Sequence, residues 1–217
     1  MLITLVLLGI LASLDPLRPV VFVLVLRTKR INALAFLVGW AIALSLLFVV
    51  VFVLFGGDPA AAPGSDRRTW ISVAELLVGV LLTVIAARRW QRRAEMVAKS
   101  LAPEAVLRRL DQLGPRQAGL IGVLIQPRTL TIAAALVVAR DRSGVLSLLI
   151  GFAVFAIVST AALLAILLYD TRRPESAATQ LESFVGRLEA QGPVLFTILC
   201  ACAGVYLIAD SIYSLVT

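Results

Sequence analysis

Histidine is absent from the 217 residues, so the usual imidazole metal ligand and neutral-pH base is missing. The only cysteines, Cys200 and Cys202, stand two apart. On a helix such a pair points to different faces and cannot bridge, which leaves small apolar packing groups. Charge is sparse at 15% of residues. There is no P-loop, no nucleophile beside a base (Ser13 has none) and no cluster of metal ligands. No metal or cofactor is expected, and the chain does not read as an enzyme. Without a nucleotide site, any transport must use a gradient or simply equilibrate.

What is present in excess is apolar surface. Hydrophobic residues make up 60% of the chain and mean hydropathy is +0.99. One aqueous core cannot bury that much, so lipid must cover it. The net charge of +7 does not indicate nucleic acid, because the basic residues fall in short segments between apolar runs. The N-terminal apolar stretch lacks a basic leader and a small-residue cleavage site, and reads as a retained first helix.

Requiring about 20 residues per crossing gives six spans, near Leu2–Leu26, Ala33–Phe55, Ile71–Ala87, Ala118–Ala139, Val145–Tyr169 and Pro193–Val216. Fourteen lysines and arginines fall on one side of this plan, four on the other, and Arg18 and Arg128 within it. Positive residues favour the cytoplasmic side, which puts both termini outside the inner membrane. Pro59–Ser65 reads as a loop. Residues 88–117 read as a basic cytoplasmic linker with amphipathic helical spacing at Trp90, Ala94, Val97 and Leu101. Pro174–Gly192 is a shorter stretch with an apolar face.

The two halves repeat. Asp15-Pro16-Leu17-Arg18-Pro19 interrupts the first span, and Gln126-Pro127-Arg128-Thr129 the fourth. Pro16 to Lys29 and Pro127 to Arg140 are both thirteen positions, and Gly39-Trp40 corresponds to Gly151-Phe152. The expected fold is therefore an all-α integral membrane protein with six transmembrane helices as two inverted three-helix repeats. Residues 1–87 form the first repeat and 118–217 the second, with helices 1 and 4 broken at proline.

A proline within a membrane helix frees a carbonyl and bends the chain, which lipid tolerates only beside protein or a wet cavity. Arg18 at mid-depth costs about 2.5–3.5 kcal/mol on insertion scales, and Arg128 a similar amount. Two such guanidiniums suggest one site for an anion, formed by Arg18, Arg128, Asp15, Gln126, Pro16, Pro127 and Thr129. Asp15 is the first choice for proton coupling and Glu75 the second. A closed Asp15–Arg18 pair with a purely structural role is the alternative.

Asp15–Pro19, the run Arg27–Trp40, Gln126-Pro127-Arg128 and the three-plus-three plan resemble the GAP family, the glycolipid- or sulfolipid-addressing proteins of actinobacteria. That family is grouped with the lysine exporter superfamily. The resemblance implies a role in moving cell-envelope glycolipids or their carriers. Three functions remain open. The first is a carrier or flippase for an anionic-headed lipid, such as a polyprenyl phosphate or an acidic glycolipid. The second is an exporter of amino-acid-type solutes. The third is a scaffold that does not transport and recruits an envelope-biosynthesis enzyme through residues 88–117. Homodimerisation fits this class, although no residue argues for it.

Overall fold

The computed structural model describes residues 2–13, 15, 17–56, 65–91, 113–140 and 145–216. Within them the chain is all helical: α1 (Leu2–Ser13), α2 (Leu17–Thr28), α3 (Arg30–Gly56), α4 (Ser65–Gln91), α5 (Pro115–Leu124), α6 (Arg128–Arg140), α7 (Val145–Arg172) and α8 (Pro174–Val216). Three stretches, Arg30–Leu54, Leu146–Arg172 and Val194–Tyr213, are long and apolar enough to cross a membrane. Two bent pairs, α1 with α2 at 54° and α5 with α6 at 62°, raise that number to five if each is one span. The chain is thus a membrane protein, and many of its large apolar side chains point outwards.

The third expected span lies within α4 but is not among those candidates. Glu75, Arg88 and Arg89 load its described part with charge. At the other end of the chain, α8 runs unbroken through Pro193, and the apolar stretch within it, Val194–Tyr213, lies where the sixth span is expected. Most of the basic linker, residues 92–112, and most of the Pro59–Ser65 loop, residues 57–64, lie outside the described residues.

Packing pairs the halves with each other. The closest partners are α4 with α8, α3 with α5, α1 with α7, and α3 with α6. Small residues permit this, as membrane helices associate by close backbone approach rather than by a hydrophobic drive. A Cβ added at Gly39 would strike the carbonyl of Gly119, and one at Gly122 would strike that of Phe36, so α3 and α5 touch along their backbones. On the other seam, a Cβ at Gly79 would lie 3.0 Å from the Gly204 carbonyl. Aromatic contacts fill the middle. Phe22 meets Phe36 edge-on at 5.4 Å, Phe36 stacks on Trp40 at 6.5 Å, and Phe48 meets Phe152 at 5.0 Å. Trp40 is therefore a buried packing group.

Gly39→Ala is expected to destabilise the protein by about 1–3 kcal/mol, because a backbone must move to admit the methyl. Gly186, with open space around it, should accept alanine without loss. Thermal unfolding of the two purified variants checks this; equal melting points would contradict the α3–α5 contact.

Candidate anion site where the two breaks meet

Each break ends one helix and starts another, which leaves carbonyls exposed at the first and N–H groups at the second. In the first break, Asp15 caps α2. Its Oδ1 accepts from the Leu17 N–H at 3.4 Å, and its backbone carbonyl accepts from the Arg18 N–H at 3.2 Å. Its other carboxylate oxygen pairs with the Arg18 guanidinium at 3.1 Å. Arg18 also donates to the Ala12 carbonyl at the end of α1 and, from Nε, to the Ile125 carbonyl after α5 at 3.3 Å. Its guanidinium lies over the Trp40 ring, 5.7 Å from the centroid. Asp15 and Arg18 are each only 6% exposed. The Asp15–Arg18 pair, which the sequence offers as the alternative to an open site, therefore forms, and Arg18 ties one break to the other.

The second break is built differently. The Pro127 carbonyl accepts from the Thr131 N–H at 2.9 Å, which starts α6. Gln126 occupies the place of Asp15 but turns into α3. With its amide oriented from the surrounding donors and acceptors, it donates to the Ala43 carbonyl at 3.3 Å and accepts from the Leu44 N–H at 2.9 Å. Arg128 remains exposed and has no ion-pair partner among the described residues.

A partly open cavity of about 230 Å³ lies between the breaks. The first break contributes Asp15 and Arg18 to its wall, and the second contributes Gln126, Pro127, Arg128, Thr129 and Leu130. Six of the seven expected site residues thus come together; Pro16 lies outside the described residues. The remaining wall is Leu82, Ile85 and Arg89 from α4, with Phe196 and Cys200 from α8. Glu75, expected to join in proton coupling, is buried elsewhere on α4 and does not line this cavity.

Arg89 belongs by sequence to the basic linker of residues 88–117, yet its guanidinium sits over the Phe196 ring, 4.6 Å from the centroid. A signal for it was available: Glu75, Gly79, Leu82, Ala86 and Arg89 recur at helical spacing on one face. Of the two cysteines expected as packing groups, Cys200 is buried and lines the cavity, whereas Cys202 is exposed. Chemically, this arrangement has one acid already paired with an arginine, two further guanidiniums, and the N-terminal end of α6, where helix dipoles favour negative charge.

The family model described as Sap, sulfolipid-1-addressing protein (SfLAP), matches residues 5–213, which include both breaks and every wall of the cavity. The chain belongs to this family. The resemblance carried by Asp15–Pro19 and Gln126-Pro127-Arg128 therefore holds at the level of the family. No curated protein and no solved structure matches the chain.

Arg18→Ala should cost about 3–5 kcal/mol by leaving the Asp15 carboxylate buried alone, and adding Asp15→Asn should restore part of it. Arg128→Ala, at an exposed position, should stay within about 0.5 kcal/mol of the parent. Unfolding of the purified variants measures all three; a cost at Arg128 equal to that at Arg18 would refute this division of roles.

Proposed function

We propose that this protein moves a lipid with an anionic head across the inner membrane, with the head held in the cavity between the breaks. The observation that carries this is the charge left in the cavity wall. Arg18 is engaged by Asp15 and two carbonyls, whereas Arg128 and Arg89 meet no carboxylate among the described residues. Guanidinium forks suit phosphate, sulfate and carboxylate alike. The roles expected of Arg18 and Arg128 thereby separate. Arg128, with Arg89 and the Thr129 hydroxyl, contacts the head, while Arg18, Asp15, Gln126, Pro16 and Pro127 shape the wall.

The cavity volume favours a head rather than a whole lipid. About 230 Å³ is the liquid volume of roughly eight waters. Acyl or prenyl chains must remain outside among the exposed apolar side chains. The name of the family supports an acidic, sulfated glycolipid as one such substrate, beside a polyprenyl phosphate.

The six-span plan of two inverted three-helix repeats belongs to the same proposal, with both termini outside. Its support is the symmetry of the packing. Exchanging the halves turns the α1–α7 contact into the α5–α3 contact and leaves the α4–α8 contact in place. On this plan α4, despite its charges, makes the third crossing.

The test is binding to nanodiscs containing phosphatidic acid, a sulfated glycolipid or a neutral glycolipid, with inorganic sulfate and phosphate as soluble competitors. Both anionic lipids should bind and the neutral one should not. Arg128→Ala and Arg89→Ala should each weaken binding about tenfold, as expected for one charged hydrogen bond. Unchanged binding in both variants would remove the cavity from the mechanism. Equally tight binding of the free anions would favour a small-solute exporter, and no binding of any probe would favour the scaffold.

A further inference from the structure

The cavity occupies one end of the seam between α4 and α8, and a second buried polar group lies further along the same seam. Two contacts set its register. Arg89 lies over Phe196, while a Cβ at Gly79 would meet Gly204 and Ile208, so the helices run antiparallel. One turn beyond Gly79, away from the cavity, stands Glu75, which is 2% exposed. The same step along α8 leads from Ile208 to Ser211. Ser72 follows on α4, and both serines are fully buried. The Ser211 hydroxyl finds no hydrogen-bond partner among the described residues. The seam thus joins arginines at one end to an acid with hydroxyls at the other, separated by the tight Gly79–Gly204 approach.

We infer that Glu75, with Ser72 and Ser211, forms a proton-exchanging site whose occupancy is coupled to an anion in the arginine cavity. Ionisable groups within membrane spans commonly mark proton paths, and Ser72 and Ser211 stand on the same level of the seam as this one. Carriage needs no covalent step: the carboxylate takes a proton from water on one side and returns it to water on the other. Fourteen positions separate Glu75 from Arg89, about 21 Å at the rise of a helix. An anion in the cavity and a proton on Glu75 attract each other, so by linkage each favours the other.

Among the described residues, the titratable groups nearby lie on α8. They are Tyr206, Asp210 and Tyr213; Tyr206 is half exposed, its hydroxyl 3.4 Å from that of Thr4, and Tyr213 is more exposed still. Helix α6, also packed on α4, carries no ionisable side chain between Arg128 and Arg140. Asp210, half buried beside Ser211, is the one other carboxylate on this level of α8 and needs its own control.

The deciding experiment is infrared difference spectroscopy of the full chain in phosphatidylcholine vesicles, titrated from about pH 5 to about pH 9. A protonated-carboxyl band should titrate in the parent, persist in Asp210→Asn and vanish in Glu75→Gln. Ser211→Ala should move its midpoint without removing it, which covers the case of a Glu75→Gln protein that fails to fold. Vesicles that also contain phosphatidic acid supply the second readout. Binding of that lipid should tighten about fivefold or more from the alkaline to the acid end, and Glu75→Gln should abolish this dependence. A band unaffected by Glu75→Gln, or a midpoint unmoved by Ser211→Ala, overturns the proton site. A pH dependence of binding that survives Glu75→Gln overturns the coupling. The coupling rests on the anion reading of the cavity and the spectrum does not, so failure of the lipid to bind would count against that reading alone.

Discussion

Everything near the centre of this protein depends on finding partners for one buried cation. A guanidinium taken out of water must be surrounded by acceptors, or the chain does not fold there. Arg18 finds its acceptors in Asp15 and in carbonyls from two separate helix ends, those of α1 and α5. Both of these ends carry the negative pole of a helix dipole. The cation therefore neutralises the cost of stopping two helices within a membrane and fixes where they meet. The opposite poles, at the starts of α2 and α6, are left to bound the cavity.

The two breaks have the same outline and unlike contents. Asp15 caps its own helix and holds Arg18, so the first break is closed on itself. Gln126 has no charge to offer Arg128 and instead inserts its amide into the α3 backbone. The first break is an anchor, and the second leaves a guanidinium at the cavity wall. Asp15 and Gln126 are the residues on which that difference turns.

Much of this was visible in the order of residues. Proline and arginine at matching places in two apolar runs marked the breaks, because few other causes put such costly groups there. Asp15 beside Arg18 left two readings open, an anion site and a closed pair, and the pair forms. What could not be read was direction in space. Arg89 looks the same in a sequence whether it faces phospholipid heads or Phe196. Gln126 is aimed by the backbone of α3, which is more than eighty positions away. Asn32, fully buried, donates to the Leu113 carbonyl at 2.9 Å and so holds the α2–α3 turn against the start of α5, a contact that no local pattern encodes. The expected span start at Pro193 agrees with the apolar stretch Val194–Tyr213, although the helix itself continues through the proline.

Helices α1 and α2 have twelve residues each, about 18 Å apiece, so neither alone crosses an apolar layer of about 30 Å. If the pair makes one crossing, as proposed, the ends they share fall near the middle of the membrane's voltage drop. An anion held there has already passed through roughly half of the field. With the cytoplasm negative, each half of an outward journey releases about 1 kcal/mol per 100 mV for every unit of charge. The proposed carriage of an anion would thus take work from the membrane potential, and any proton that travelled with the anion would subtract from that electrical work in proportion to its charge.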